Sequence, residues 1–95
     1  MSDLRREVSR GARAKAILED EIVTEALEAF EAELRADWEG SAPDDTAGRE
    51  DAYRMLRAAK AFRERLRKVI DDGSVAQAEI EAQERALRRK KGDSE

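Results

Sequence analysis

Arg6, Arg10 and Arg13 stand four and three residues apart, so on a helix their guanidinium groups share one face. With Arg5 and Lys15 they form a basic cluster opposed only by Asp3 and Glu7. Such a cluster can bind phosphate oxygens. It can equally be a solvated face, or pair with acidic residues of a neighbouring subunit. Arg85, Arg88, Arg89, Lys90 and Lys91 form a second cluster, which suits the negative C-terminal end of a helix. Carboxylates offer the other candidate chemistry. Glu21 with Glu25, and Glu28 with Glu31, have metal-compatible spacing on a helical bundle. Sites of that kind join Glu to a His three residues on, and the chain has no His. Asp71-Asp72-Gly73-Ser74 resembles a fragment of a calcium loop but lacks its length and its terminal Glu. A helix stop followed by a helix cap accounts for it better.

The absence of Cys and His excludes disulfides, thiol nucleophiles and imidazole acid/base chemistry. No glycine-rich phosphate loop, nucleophile elbow or dinucleotide fingerprint occurs. No catalytic residue, metal or cofactor is therefore expected. No apolar run approaches the ~20 residues of a membrane span, so no membrane partner is expected and the default location is the cytoplasm. Charged residues make up 44% of the chain, and 23 acids nearly balance 19 bases. Alanine supplies 17 of the apolar positions, which leaves few large side chains for a core. A chain this poor in core is expected to bury apolar surface between subunits.

The elements that must carry these residues are helical. Leu18, Ile22, Ala26, Phe30, Leu34 and Trp38 lie four apart, which predicts a first helix over about 3–38 with a spiralling apolar stripe. Gly11 and Asp20 are candidate interruptions, and Asp20 can instead cap a separate helix from Glu21. Residues 39–46 concentrate turn formers and predict a loop. Asp45 or Thr46 then caps a second helix, over 46–72, with Gly73 as its stop. Ala52, Met55, Ala59, Phe62, Leu66 and Val69 alternate three and four apart, the a/d repeat of helices that pack side by side. Met55, Ala59, Phe62, Leu66 and Val69 are the expected oligomerisation seam. Ser74 followed by Gln77 fits a capping box and predicts a third, short helix from Val75, with fraying from Gly92 to Glu95. The fold class expected is all-α: an antiparallel helical hairpin over 1–73, then a C-terminal helix and tail over 74–95.

Acidic residues dominate 19–39 and basic residues dominate 47–70, which predicts complementary flanks that select the antiparallel pairing. Trp38, beside the loop, either packs against Tyr53 or stands out as a partner anchor. Ile80 and Leu87, seven apart, are candidate helix-in-groove anchors for a partner. The alternative is that the third helix packs back onto its own hairpin.

Arg10 through Asp20, Trp38, Arg49-Glu50-Asp51-Ala52-Tyr53, and Leu66 through Gly73 together resemble small helical proteins encoded beside phage and gene-transfer-agent packaging genes. The small terminase subunit is the functional analogue, and the resemblance spans about residues 10–75. It implies a homo-oligomeric ring; this chain departs from the family pattern in having no helix-turn-helix ahead of the hairpin, so sequence-specific recognition of a packaging site is not expected. It also implies weak, non-specific DNA contact through Arg6, Arg10 and Arg13, and a C-terminal tail that engages the large terminase. The alternative carried beside it is a helical-bundle scaffold, virion structural protein or assembly chaperone without DNA contact.

Overall fold

The computed structural model describes residues 2–93. Three helices occur in them, α1 (Ser2–Glu19), α2 (Glu21–Glu39) and α3 (Thr46–Asp93), and no strand occurs among the described residues. The all-α class follows directly. The expected long helix over 3–38 divides at Asp20. There the backbone leaves the helical region at φ -65, ψ 125, and the Asp20 carboxylate accepts a hydrogen bond from the Val23 N–H at 3.0 Å. That is N-capping, and it satisfies a donor that the start of α2 would otherwise orphan. The Thr24 hydroxyl donates to the Leu18 carbonyl at 3.2 Å, tying the two sides of the break together. Gly11 does not interrupt α1.

The loop is held by its own side chains. Asp45 is the cap of α3, its carboxylate accepting from the Gly48 N–H at 3.0 Å. The Arg49 guanidinium donates to the Pro43 carbonyl at 2.7 Å, and the Ser41 hydroxyl donates to the Trp38 carbonyl at 2.7 Å.

The expected stop at Gly73 and the separate third helix from Val75 are not found. α3 runs unbroken through both positions to Asp93. No described glycine has a positive φ, so Gly73 does not adopt the left-handed conformation a helix stop would use. It serves close approach instead. A Cβ on Gly73 would lie 2.9 Å from the Gly11 Cα and 3.0 Å from the Glu7 carbonyl oxygen. A Cβ on Gly11 would lie 3.0 Å from the Gly73 Cα and 3.2 Å from the Val69 carbonyl oxygen. The two helix backbones touch at this crossing. Ser74, expected to cap a helix, is an exposed position inside α3. The fraying expected at the C-terminus falls partly on Ser94 and Glu95, outside the described residues.

Two compact units divide the chain: Met1–Lys15 with Arg67–Glu95, and Ala16–Leu66. In the first, Gly11, Ala14, Gly73, Ala76 and Ile80 are buried, with Leu4, Val8, Val69 and Ile70 partly so. In the second, α2 and the first part of α3 fold back on each other across the loop 40–45. Val23, Leu27, Glu31 and Leu34 turn inward from α2, and Ala52, Leu56, Ala59, Arg63 and Leu66 from α3. The spacings of four and three are those of one helix face.

At Gly73 helix propensity and packing oppose each other. Ala is better than Gly by up to ~1 kcal/mol in a helix interior, but here its methyl would press on backbone atoms that cannot rotate away. Gly73→Ala is therefore expected to lower the urea midpoint, with a net loss of about 1 kcal/mol or more. Gly92→Ala, where a Cβ would meet nothing within 4 Å, is expected to leave the midpoint unchanged or raise it slightly.

Candidate interaction surfaces

The inward face of α3 in the Ala16–Leu66 unit differs from the expected seam in one respect. Ala52 and Ala59 are buried and Leu66 is half-buried, as a seam requires, and Val69 is half-buried in the other unit. Between them the helix turns Leu56 and Arg63 inward instead of Met55 and Phe62. Met55 is 46% exposed and Phe62 is 51% exposed. In a heptad with fixed positions at 52, 59 and 66, either the residue three on or the residue four on can face the partner helix. The partner decides which.

Arg63 supplies the physical reason. Its guanidinium donates a hydrogen bond to Glu31 on α2, and Glu31 also lies 3.7 Å from Arg35. The side chains of Arg63 and Glu31 are only 24% and 17% exposed, whereas Arg54 and its i,i+4 partner Glu50 are 73% and 59% exposed. The aliphatic stem of Arg63 fills a position between the helices while its head finds an acid, as amphipathic side chains do. The Arg63 Nε is buried with no hydrogen-bond partner, so the group is wedged there at some cost. This ion pair links the acidic helix to the basic one. Arg54–Asp51, Lys68–Asp72 and Arg88–Glu84 pair within α3.

The displaced aromatic and thioether side chains are not scattered. Ile22, Ala26 and Phe30 each precede an inward residue of α2 by one position: Val23, Leu27 and Glu31. Met55, Ala58 and Phe62 stand in the same relation to Leu56, Ala59 and Arg63 on α3. One residue is a 100° turn, and in two antiparallel helices the same backward turn leads to the same side of the pair. All six are exposed, Ile22 at 71% and Phe30 at 38%. The other side of the hairpin, one position after the inward residues, carries Glu28, Arg35, Tyr53, Arg57, Lys60 and Glu64 and is polar. There the Arg57 guanidinium donates to the Tyr53 hydroxyl at 3.3 Å and lies 5.9 Å from its ring centre. The hydrogen bond to Tyr53 chiefly, then the charge interaction with it, pushes the Arg57 pKa up.

Arg6, Arg10 and Arg13 are all exposed. Arg6 and Arg10 line a shallow groove with Asp3, Glu7, Val69 and Asp72, so acids outnumber bases in it. Asp72 comes from α3 and pairs with Lys68 at 3.1 Å. Arg13 lies outside this groove. The three arginines therefore share a helix face but not a single electropositive site. Trp38 is 49% exposed and Tyr53 54% exposed, so neither is a core residue.

The tail anchors separate. Ile80 is buried at 8% exposure and Leu87 is 63% exposed. Ile80 is thus part of the core of its own unit and is not free to dock a partner, a correction to its expected role. Leu87 stands on the surface among Arg88, Lys90 and Lys91. Its seven-residue spacing from Ile80 did not separate the two, because α1 covers only one end of that stripe. Among the described residues no group of three or more Asp, Glu, His or Cys is placed to hold a metal ion, and no helix is long and apolar enough to cross a membrane.

No protein-family model matches this chain, no curated protein matches it, and no solved structure matches it.

Glu31→Ala would strand the Arg63 guanidinium between the helices and is expected to cost about 1 to 3 kcal/mol in equilibrium unfolding. Removal of the exposed Arg54 head is expected to cost less than about 0.5 kcal/mol. Ending the chain after Gly73 removes Ala76 and Ile80 from the core of their unit. The expected outcome in circular dichroism and thermal melting is loss of α1 helicity, where a detached docking tail would leave the melt unchanged.

Proposed function

We propose that this chain is a non-enzymatic helical adaptor that acts by binding copies of itself and other chains. The observation that carries this reading is the inversion of its apolar residues. Among the described residues four of the six buried hydrophobic ones are alanine, while Ile22, Phe30, Met55, Phe62 and Leu87 stand exposed. Exposed apolar clusters of this kind mark interaction sites.

The sharper form of the proposal is an adaptor in viral or virus-like DNA packaging, of the small terminase kind. The patterning of residues 10–75 supports it, as does the exposure of Arg6, Arg10 and Arg13. In this form the arginines touch DNA phosphates weakly and without sequence preference, and the exposed C-terminal region around Leu87 meets the large terminase. A second form is a helical-bundle scaffold or assembly chaperone without DNA contact. Two observations favour it: Asp3, Glu7 and Asp72 line the same groove as Arg6 and Arg10, and the apolar flank of the hairpin lies on one side only.

Native mass spectrometry tests the common reading. A defined multiple of the chain mass is expected, and a monomer at high micromolar concentration overturns it. Fluorescence anisotropy with duplex DNA separates the two forms. Three phosphate contacts predict roughly a 40-fold loss of affinity when salt rises from 50 to 200 mM, and no binding once Arg6, Arg10 and Arg13 are all replaced by Glu. Absence of binding by the unaltered chain at low salt removes the DNA-contacting form.

A further inference from the structure

We infer that the flank formed by Ile22, Ala26, Phe30, Met55, Ala58 and Phe62 is a two-fold interface that takes a second copy of this chain, with the two hairpins face to face and their loops at opposite ends. The inference rests on the self-associating reading above and names its surface and geometry.

Three observations select this occupant. The first is extent. The exposed parts of these six side chains amount to on the order of 400–500 Å² of apolar surface, about the largest patch a monomer leaves open and a large share of the ~800 Å² each partner of a stable pair buries. The second is self-complementarity. Each helix carries a small residue between two large ones, Ile22–Ala26–Phe30 and Met55–Ala58–Phe62. A two-fold axis passing at the alanines places Phe62 on the partner's Met55, and Phe30 on the partner's Ile22, while the alanines let the backbones approach. The third is charge. Asp51 borders the flank at its loop end, as does Glu33 on α2, and Arg65 borders it at the far end. With loops at opposite ends, Asp51 meets the partner's Arg65, and the reciprocal pair forms by symmetry. With loops at the same end, Asp51 would face the partner's Glu33, a like-charge contact that disfavours that arrangement.

The chain has no cysteine, so single introduced thiols report this geometry without background. Ala58→Cys is expected to give a covalent dimer with a short bis-maleimide, and Lys60→Cys, on the polar side, to give none. Phe62→Ser is expected to weaken the dimer roughly 100-fold or more by analytical ultracentrifugation, because the change is made twice per dimer. Phe62 is half exposed, so the helicity of the monomer should persist. An assembly that survives Phe62→Ser, or that fails to cross-link at Ala58→Cys, overturns the inference while leaving self-association standing. A chain that stays monomeric overturns both and assigns the flank to a different helical partner.

Discussion

Ala52, Ala59 and Leu66 return to the same helix face every seventh residue, and one choice between their neighbours determines what each side of the hairpin carries. Turning Leu56 and Arg63 inward fills the space against α2 with one leucine and one arginine stem. Turning Met55 and Phe62 inward would have buried more apolar area, at ~25 cal/mol per Å². The chosen register instead requires Glu31 opposite Arg63, and α2 supplies it. An ion pair with an unpartnered Nε is a weaker source of stability than a phenylalanine in a core. What the pair does supply is a reason for this register over its neighbour. It also leaves the larger hydrophobic side chains facing out on a single flank.

Small residues set the other close contact. Gly11 and Gly73 allow backbone to meet backbone, and Ala14 and Ala76 are buried in the same unit. Close packing of small residues gains dispersion contacts over a short distance but little apolar area. Both units are therefore assembled with narrow cores, one through glycine and alanine, the other through alanine and an ion pair. Neither arrangement uses the chain's aromatic residues inside: Phe30, Trp38, Tyr53 and Phe62 are all exposed by more than a third.

Much of the local structure was legible in the residues. Asp45 before Thr46 announces a cap because a short acceptor there satisfies the first helical N–H groups, and Pro43 with its polar neighbours announces a loop. Asp20 carried the same chemistry, yet the four-residue apolar spacing around it argued for continuity. Only the ψ of 125 and the Thr24 hydrogen bond across the break decide between them. Gly73 was misleading because two physical uses of glycine, left-handed backbone and close approach, look identical in sequence. The second depends on Gly11, sixty-two positions away. Which neighbour of the heptad alanines faces α2 was hidden for a related reason: Arg63 looks like a solvent residue until Glu31 is placed beside it. The shared face of Arg6, Arg10 and Arg13 was legible, but Asp72 joins that groove from a different helix.

The symmetry open to the chain follows from how its surfaces are distributed. A ring needs each subunit to present two different complementary surfaces, because head-to-tail contacts use unlike patches. Within the Ala16–Leu66 unit one flank is apolar and the other carries Glu28, Arg57, Lys60 and Glu64. An apolar flank set against that polar one would bury charges without partners, which costs more than the apolar contact returns. In the pairing inferred above that flank is matched by its own copy, an arrangement that closes at two. Growth from a pair into a larger ring would then depend on a second surface, and exposed Val75 and Leu87 of α3 belong to the other unit. Leu87 stands among basic side chains, of which Arg88 already pairs with Glu84, so that surface differs in chemistry from the apolar flank around Phe62.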